Sequence, residues 1–166
     1  MLRTSGKIPV SGKKKGGIKV HSLMRSDHDV PSMVRITEAA ANDSQFLKQV
    51  NLPKGSIIVF DRGYRDFTTL NRFSSEGITW VTRLNKLFTY TVIQQYQLSK
   101  DPAIIGDQQI QLGWRSGTRV TARLITLYDQ TSKEQYEFVT NNYRMSATTV
   151  ASLYRKRWQI ELLFKR

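Results

Sequence analysis

The chain contains no cysteine, so it forms neither disulfide bonds nor thiolate metal sites. No apolar run reaches membrane-spanning length, and residues 1–12 lack the apolar core of a signal peptide. With 166 residues, the chain is long enough to bury a hydrophobic core in one domain. These features predict a soluble cytoplasmic protein without a membrane partner.

Acidic residues are scarce at both ends of the chain, whose net charge is +13. Residues 1–26 hold seven Lys or Arg and no Asp or Glu, and residues 143–166 hold six basic residues and one acid. Concentrated positive charge of this kind is typical of phosphate-binding surfaces, although a solubilising surface is the alternative. Lys13, Lys14 and Lys15 stand among glycines and predict that residues 1–17 form a flexible basic arm.

The first half of the chain predicts alternating strands and helices. Residues 56–60 form a short, apolar, β-branched run, which is typical of a central strand covered on both faces. After it, Asp66 is expected to cap a helix that reaches Ser75 and ends at Gly77. Other strands are predicted at residues 18–24, 30–37 and 78–84, with a short helix at 45–50.

Residues 86–142 differ in composition and pattern, because Gln, Thr and Tyr become more frequent and helical periodicity disappears. Strand-like stretches recur at residues 88–93, 109–112, 120–128 and 135–140. We therefore predict a basic arm (1–17), part of an α/β core (18–85), a β-rich insertion (86–142) and a C-terminal core helix (143–166). Ser146 is the expected cap of that last helix.

The last helix carries charge within its apolar stripe. Val150, Leu153, Ile160 and Phe164 form the stripe, and Arg157 and Glu161 fall near its middle, with Tyr154 at its edge. An Arg–Glu pair one turn apart contributes only about 0.2–0.5 kcal/mol, which does not offset the several kcal/mol that burial of an ion costs. The alternative interpretation is a carboxylate that faces a metal ion and an arginine that faces a phosphate.

Asp61 is the second carboxylate of interest, because it follows the apolar run that predicts a buried strand. Open α/β sheets place their ligand crevice at the carboxyl ends of such strands. A simple turn-forming role beside Gly63 is the alternative. Together, Asp61 and Glu161 offer the hard oxygen ligands that magnesium prefers.

Two motifs in this order resemble the DDE transposases of the IS-four (insertion-sequence four) family. Asp61-Arg62-Gly63-Tyr64 is similar to the second-aspartate motif of that family. Tyr154, Arg157 and Glu161 match the spacing of its signature, which is Tyr, two residues, Arg, three residues, Glu, six residues, Lys. The resemblance extends from about Gly17 to Arg166.

The resemblance implies a ribonuclease H-like α/β fold, with a mixed sheet, flanking helices and a β-rich insertion before the C-terminal helix. It also implies metal-dependent cleavage and strand transfer at transposon ends, with Mg2+ or Mn2+ as the cofactor. Double-stranded DNA, a homodimer assembled on that DNA and a nucleoid-associated location in a bacterium are expected. By position, Asp61 and Glu161 are catalytic metal ligands, and the expected DNA-binding residues are Tyr154, Arg157, Arg62, Lys19, Lys13, Lys14 and Lys15.

The chain departs from the family pattern at two places. The first acidic ligand is expected upstream of Lys19, where residues 1–26 contain no carboxylate, and the signature lysine would fall two positions beyond Arg166. Trp114 is the candidate for a residue that stacks on a flipped base, although a core tryptophan is the alternative. We therefore expect a transposase fragment with little or no activity alone, or a non-catalytic DNA-binding remnant or partner of a full-length transposase.

Overall fold

The computed structural model describes residues 2–9, 17–24, 31–38, 44–62, 66–113 and 117–163, with side chains from residue 46 to residue 157 within these ranges. The first half holds β1 (Leu2–Pro9), β2 (Gly17–Met24), β3 (Pro31–Glu38), α1 (Ser44–Lys48), β4 (Ile57–Phe60), α2 (Phe67–Ser75) and β5 (Thr79–Arg83). The second half holds β6 (Tyr90–Gln95), β7 (Ile104–Leu112), β8 (Val120–Asp129), β9 (Glu134–Thr140) and α3 (Ala147–Leu163). Within the described ranges, no helix is both long and apolar enough to cross a bilayer.

The strands form one antiparallel and one mixed sheet. β1, β2 and β3 pair in that order, and the six-stranded sheet has the order β4-β5-β9-β8-β7-β6. β4 and β5 are parallel and joined by α2, whereas the other neighbours in the larger sheet are antiparallel. Residues of β1 approach β4. The expected mixed α/β architecture is therefore confirmed.

Apolar residues cover both faces of the larger sheet. On one face, Phe73 of α2 and Leu47 of α1 pack in a cluster with Ile58, Phe60 and Trp80. On the other face, residues of α3 pack in a second cluster, which contains Val59, Val81, Ile125, Phe138, Ala147, Val150 and Ala151. Alternate residues of β4 thus enter different clusters, and the prediction of a strand covered on both faces is confirmed. Its predicted central position is wrong for the described sheet, because β4 ends the strand order of the six strands.

The ends of α2 also agree with the sequence. Asp66 is the N-cap, and its carboxylate accepts hydrogen bonds from the amide of Thr69 at 3.2 Å and from its hydroxyl at 2.9 Å. Gly77 has a φ of 71°, a conformation that favours glycine and turns the chain toward β5. These two residues fix the crossover that places β5 beside β4.

The loop before α3 is held by side chains on both sides. Asn142 Oδ1 accepts hydrogen bonds from the amides of Arg144 and Met145, each at 2.9 Å. Ser146 Oγ accepts from the amide of Thr149 at 3.1 Å, which confirms the predicted helix cap. Asn141 Nδ2 donates to the carbonyl of Ile78 at 2.9 Å, so the loop is also joined to the start of β5.

The structure differs from the sequence expectations in two regions. β1 occupies residues that we predicted to be a loop within the basic arm, because pairing with β2, as in Leu2 with Leu23, satisfies its backbone despite an irregular pattern. β7 begins at Ile104 rather than residue 109. Its first part pairs with β8 across an irregularity between Ile104 and Gly106, which interrupts the alternation of side chains.

Candidate active site at the end of strand β4

Asp61 lies directly after the last residue of β4. Phe60 is fully buried, whereas the Asp61 side chain is 37% exposed. The amide of Arg62 donates to Asp61 Oδ1 at 2.7 Å, and the carbonyl of Arg62 accepts from Asn85 Nδ2 at 3.1 Å. The sheet therefore presents this carboxylate to solvent on a backbone that neighbouring groups hold in place.

α3 brings two further polar groups to Asp61, although they lie more than ninety residues away in sequence. Tyr154 Oη donates to Asp61 Oδ1 at 3.2 Å, and Arg157 Nη2 donates to Tyr154 Oη at 3.1 Å. The distance from Arg157 Nη2 to Asp61 Oδ1 is 3.9 Å, and the guanidinium lies over the Tyr154 ring at 4.8 Å. The aspartate of the first motif and the Tyr and Arg of the second motif thus lie next to each other.

The buried face of α3 differs in detail from the predicted stripe. Val150, Tyr154 and Arg157 are buried, with 3% exposure for Arg157, whereas Leu153 is only partly buried. Leu153 nevertheless packs against the same cluster, as the stripe predicts, whereas the prediction that placed Tyr154 at the edge of the stripe is wrong. The reason is packing on the sheet, because the Tyr154 ring contacts Phe138 with ring centroids 5.2 Å apart.

Burial raises the pKa of the Tyr154 hydroxyl to about 12, and the charge of Asp61 acts in the same direction. The cations Arg157 and Arg83 oppose this rise because they favour the phenolate. The hydroxyl consequently keeps its proton at neutral pH and serves as the donor to Asp61.

The Asp61 carboxylate fits a hard divalent cation in its chemistry and its exposure. Among the described residues, its hydrogen bonds and its near ion pair all fall on Oδ1, and Oδ2 is left for another ligand. The described side chains include no group of three metal-ligating residues. Glu161 lies on α3, about 6 Å further along the helix axis than Arg157, outside the described side chains.

The other predicted site residues have different positions. Arg62 is exposed beside Asp61. Lys19 lies on β2 opposite Thr37, and its side chain is outside the described part. Lys13, Lys14, Lys15 and Trp114 also lie outside the described residues. Because Tyr154 and Arg157 are buried against Asp61, their role as DNA contacts stays a prediction that the present geometry does not favour.

Two residues of this site were not predicted. Arg83 ends β5, next to β4 in the sheet, and its guanidinium lies over the Tyr136 ring at 5.0 Å. Asn85 supports the backbone after Asp61 through its bond to Arg62. The available signal was their position, since residues at the ends of adjacent parallel strands share one edge of the sheet.

Comparison with known proteins gives one family and two relatives. A family model described as "Transposase DDE domain" matches residues 3–166. "Putative transposase y4zB" of Sinorhizobium fredii is 27% identical over 154 residues, which cover 90% of this chain and 43% of that protein. "Probable transposase for insertion sequence element IS5377" of Geobacillus stearothermophilus is 23% identical over 161 residues, which cover 95% of this chain and 42% of that protein. The chain thus spans less than half the length of these relatives.

Proposed function

The chain belongs to the family of transposase DDE domains, and we propose that it forms part of a DNA transposase that cleaves and joins phosphodiester bonds at transposon ends. The observation that carries the proposal is the meeting of Asp61, at the end of β4, with the helix that bears Glu161. In the proposed site, Asp61 is supplied by a strand end and Glu161 would be supplied by α3, in a chain whose net charge of +13 suits a DNA partner.

We further propose the finer assignments to the IS-four family and to the ribonuclease H-like fold. The first is supported by the signature spacing of Tyr154, Arg157 and Glu161. The second is supported by the antiparallel β1-β2-β3 sheet, the approach of β1 to β4 and the parallel pairing of β4 with β5 through α2. We also propose that the protein assembles as a homodimer on DNA.

Asp61 and Glu161 are the residues that would hold the proposed Mg2+ or Mn2+. When bound, such ions activate the attacking oxygen and stabilise the leaving oxygen of a displacement at phosphorus. The residues of this chain orient the carboxylate at Asp61, and two cations on neighbouring elements are exposed. Arg62 next to Asp61 and Lys156 on α3 are exposed and suited to phosphate contacts that position DNA without reading its sequence.

The second candidate function is a DNA-binding protein without catalysis. It is favoured by one observation, namely that residues 1–26 hold seven Lys or Arg and no Asp or Glu, a composition that suits contact with DNA phosphates. We propose that residues 1–166 alone have little cleavage activity, because Asp61 and Glu161 by themselves would hold metal ions weakly. Robust cleavage of a transposon-end duplex in Mg2+, lost on Glu161→Ala, would contradict this part of the proposal.

A metal-binding titration separates the two functions. Mn2+ binding to the purified chain is followed by electron paramagnetic resonance for the wild type, Asp61→Asn and Glu161→Gln. Glu76→Gln, which makes the same change of charge at an exposed position on the far end of α2, is the control. The transposase proposal expects both site variants to lose Mn2+ binding and the control to retain it.

Duplex binding provides the complementary measurement. The affinity for a double-stranded DNA of arbitrary sequence should fall steeply as salt rises, because binding releases counterions. If Mn2+ binding and duplex affinity are the same in the wild type, Asp61→Asn and Glu161→Gln, the non-catalytic function is correct.

A further inference from the structure

The Tyr154 hydroxyl connects a buried cation to the candidate metal ligand. It accepts a hydrogen bond from Arg157 Nη2 at 3.1 Å and donates one to Asp61 Oδ1 at 3.2 Å. A hydroxyl group can accept and donate at the same time. The three side chains therefore form a hydrogen-bonded series in which Arg157 donates to Tyr154 and Tyr154 donates to Asp61. This hydrogen-bonded series ends on a single oxygen of the Asp61 carboxylate.

Burial distinguishes these two residues from the cations that are open to a phosphate. Arg157 is 3% exposed and Tyr154 is 6% exposed, whereas the side chain of Arg155, two residues before Arg157 on α3, is 57% exposed. Lys156 is exposed as well. A DNA phosphate can therefore reach Arg155 and Lys156 directly, but it can reach the Arg157 guanidinium only after neighbouring groups move.

The distribution of contacts on Asp61 indicates what the buried pair does. Oδ1 accepts hydrogen bonds from Tyr154 and from the Arg62 amide, and it lies 3.9 Å from Arg157. A carboxylate held through one oxygen has a fixed orientation. Its second oxygen then points in a defined direction, which is the requirement for a ligand that is to hold a cation in one place.

We propose that Tyr154 and Arg157 are positioning residues, which fix the Asp61 carboxylate through Oδ1 and leave Oδ2 as the oxygen that would bind a divalent cation. The inference rests on the proposed function, because it takes Asp61 to be a metal ligand. It replaces direct phosphate contact as the role of this pair. Partners that orient a metal ligand typically account for about 10- to 100-fold of the metal affinity.

The principal test is Mn2+ binding in the absence of DNA. Tyr154→Phe removes the hydroxyl and keeps the ring that packs on Phe138. We expect its Mn2+ affinity to fall about 10-fold or more. The matched control is Tyr136→Phe, which removes a hydroxyl that donates to Glu134 at 2.7 Å and should leave the Mn2+ affinity unchanged.

A second pair of variants keeps the positive charge of α3. Arg157→Lys retains the cation but loses the planar guanidinium that lies over Tyr154 and donates to its hydroxyl. Arg155→Lys makes the same replacement at an exposed position that pairs with Asp129 at 3.6 Å. We expect weaker Mn2+ binding only in Arg157→Lys.

Duplex binding in EDTA distinguishes positioning from phosphate contact. If Tyr154 and Arg157 act through Asp61, Tyr154→Phe and Arg157→Lys bind duplex DNA as tightly as the wild type when metal is absent. The inference is overturned if these variants keep the wild-type Mn2+ affinity, or if they lose metal-free duplex affinity while their thermal unfolding remains that of the wild type.

A metal-free measurement separates the failure of this inference from the failure of the proposed function. The hydroxyl proton of Tyr154, identified by its loss in Tyr154→Phe, is observed by nuclear magnetic resonance. Its resonance should shift in Asp61→Asn and in Arg157→Lys, but not in Arg155→Lys. Absence of Mn2+ binding in the wild type contradicts the proposed function, whereas an unchanged hydroxyl resonance in Asp61→Asn contradicts the inference.

Discussion

At the scale of single residues, the site depends on a tyrosine that is both buried and polar. A buried hydroxyl without a partner costs about 1–3 kcal/mol, which explains why the Tyr154 hydroxyl has an acceptor and a donor within 3.2 Å. The same burial raises its pKa to about 12. Structural stability and the orientation of Asp61 are therefore linked through one hydroxyl group.

The raised pKa predicts a loss of stability at high pH. In the unfolded chain a tyrosine ionises near pH 10, whereas Tyr154 in the fold ionises at about 12. The contribution of this raised pKa to the free energy of unfolding is fully present below pH 10. It falls by about 1–3 kcal/mol as the pH rises toward 12. Urea unfolding between pH 9 and 12 should show a shallower decline for Tyr154→Phe than for the wild type.

Tyr136→Phe is the control for this measurement, because its hydroxyl lies in an exposed hydrogen bond to Glu134. The same decline in Tyr154→Phe and in the wild type would show that Tyr154 ionises equally in the folded and unfolded chains. That result would contradict the raised pKa of the Tyr154 hydroxyl.

At the scale of elements, a buried ion pair joins strands β7 and β8 to the start of α3, the helix that carries Tyr154 and Arg157. Arg123 of β8 donates from Nε to Asp107 Oδ1 at 2.8 Å and from Nη2 to Oδ2 at 2.6 Å. Its Nη1 donates to the carbonyl of Met145, just before α3, at 2.6 Å. The hydrogen bonds to Asp107 raise the pKa of Arg123, so the cation is retained despite burial. α3 is thereby held on β7 and β8 as well as on β4.

Removal of one partner of the buried Arg123–Asp107 ion pair should strongly destabilise the fold. Arg123→Met leaves the buried Asp107 carboxylate and the Met145 carbonyl without their cation, and we expect a cost of about 3–5 kcal/mol. The free energy of unfolding in urea measures it. Arg123→Met combined with Asp107→Leu should recover much of the loss, because no unpaired charge remains.

Lys48→Met is the matched control, since the Lys48 side chain is 57% exposed and lies 3.7 Å from Asp66. This surface pair should contribute only about 0–1 kcal/mol. A cost for Arg123→Met that is no larger than for Lys48→Met would contradict a structural role of the buried pair.

The sequence predicted local features better than pairings between elements. Asp66 and Gly77 act through their own backbone neighbourhoods, so their roles as helix cap and helix end could be predicted. The pairing of Asp107 with Arg123 depends on the register of β7 and β8, which includes an irregularity between Ile104 and Gly106. The periodicity of one strand does not show which residues of the neighbouring strand it pairs with.

The candidate site follows the same rule. Asp61 could be placed at a strand end because the apolar run before it is a local pattern. The hydrogen bond from Tyr154 could not be predicted, because a helical pattern gives the direction of each side chain but not how the helix crosses the sheet. The tilted contact between the Tyr154 and Phe138 rings contributes to that crossing, and the helical pattern alone does not predict it.

At the scale of the whole molecule, the far end of the large sheet is uncharged and exposed. β6 ends the strand order, all six of its residues are exposed, and none of them is charged. Val92 is 42% exposed and Ile93 is 53% exposed. Edge strands of this composition favour pairing with other chains.

We therefore predict that Ile93→Lys raises the protein concentration at which light scattering shows association. The stability should change by no more than about 0.5 kcal/mol, because the side chain is on the surface. Leu87→Lys, at a side chain that is 62% exposed and outside the strand, adds the same charge and is the control. An equal improvement in both variants would assign the effect to net charge instead of to the edge strand.

The order of strands in the large sheet also has a consequence for synthesis. β5 pairs with β9, and residues 84–133 must be made between these two strands. At roughly 5–20 residues per second, several seconds pass before the partner of β5 is available. During that time the nascent chain exposes Trp80 and Val81 to chaperones, and the site can close only after both β9 and α3 have left the ribosome.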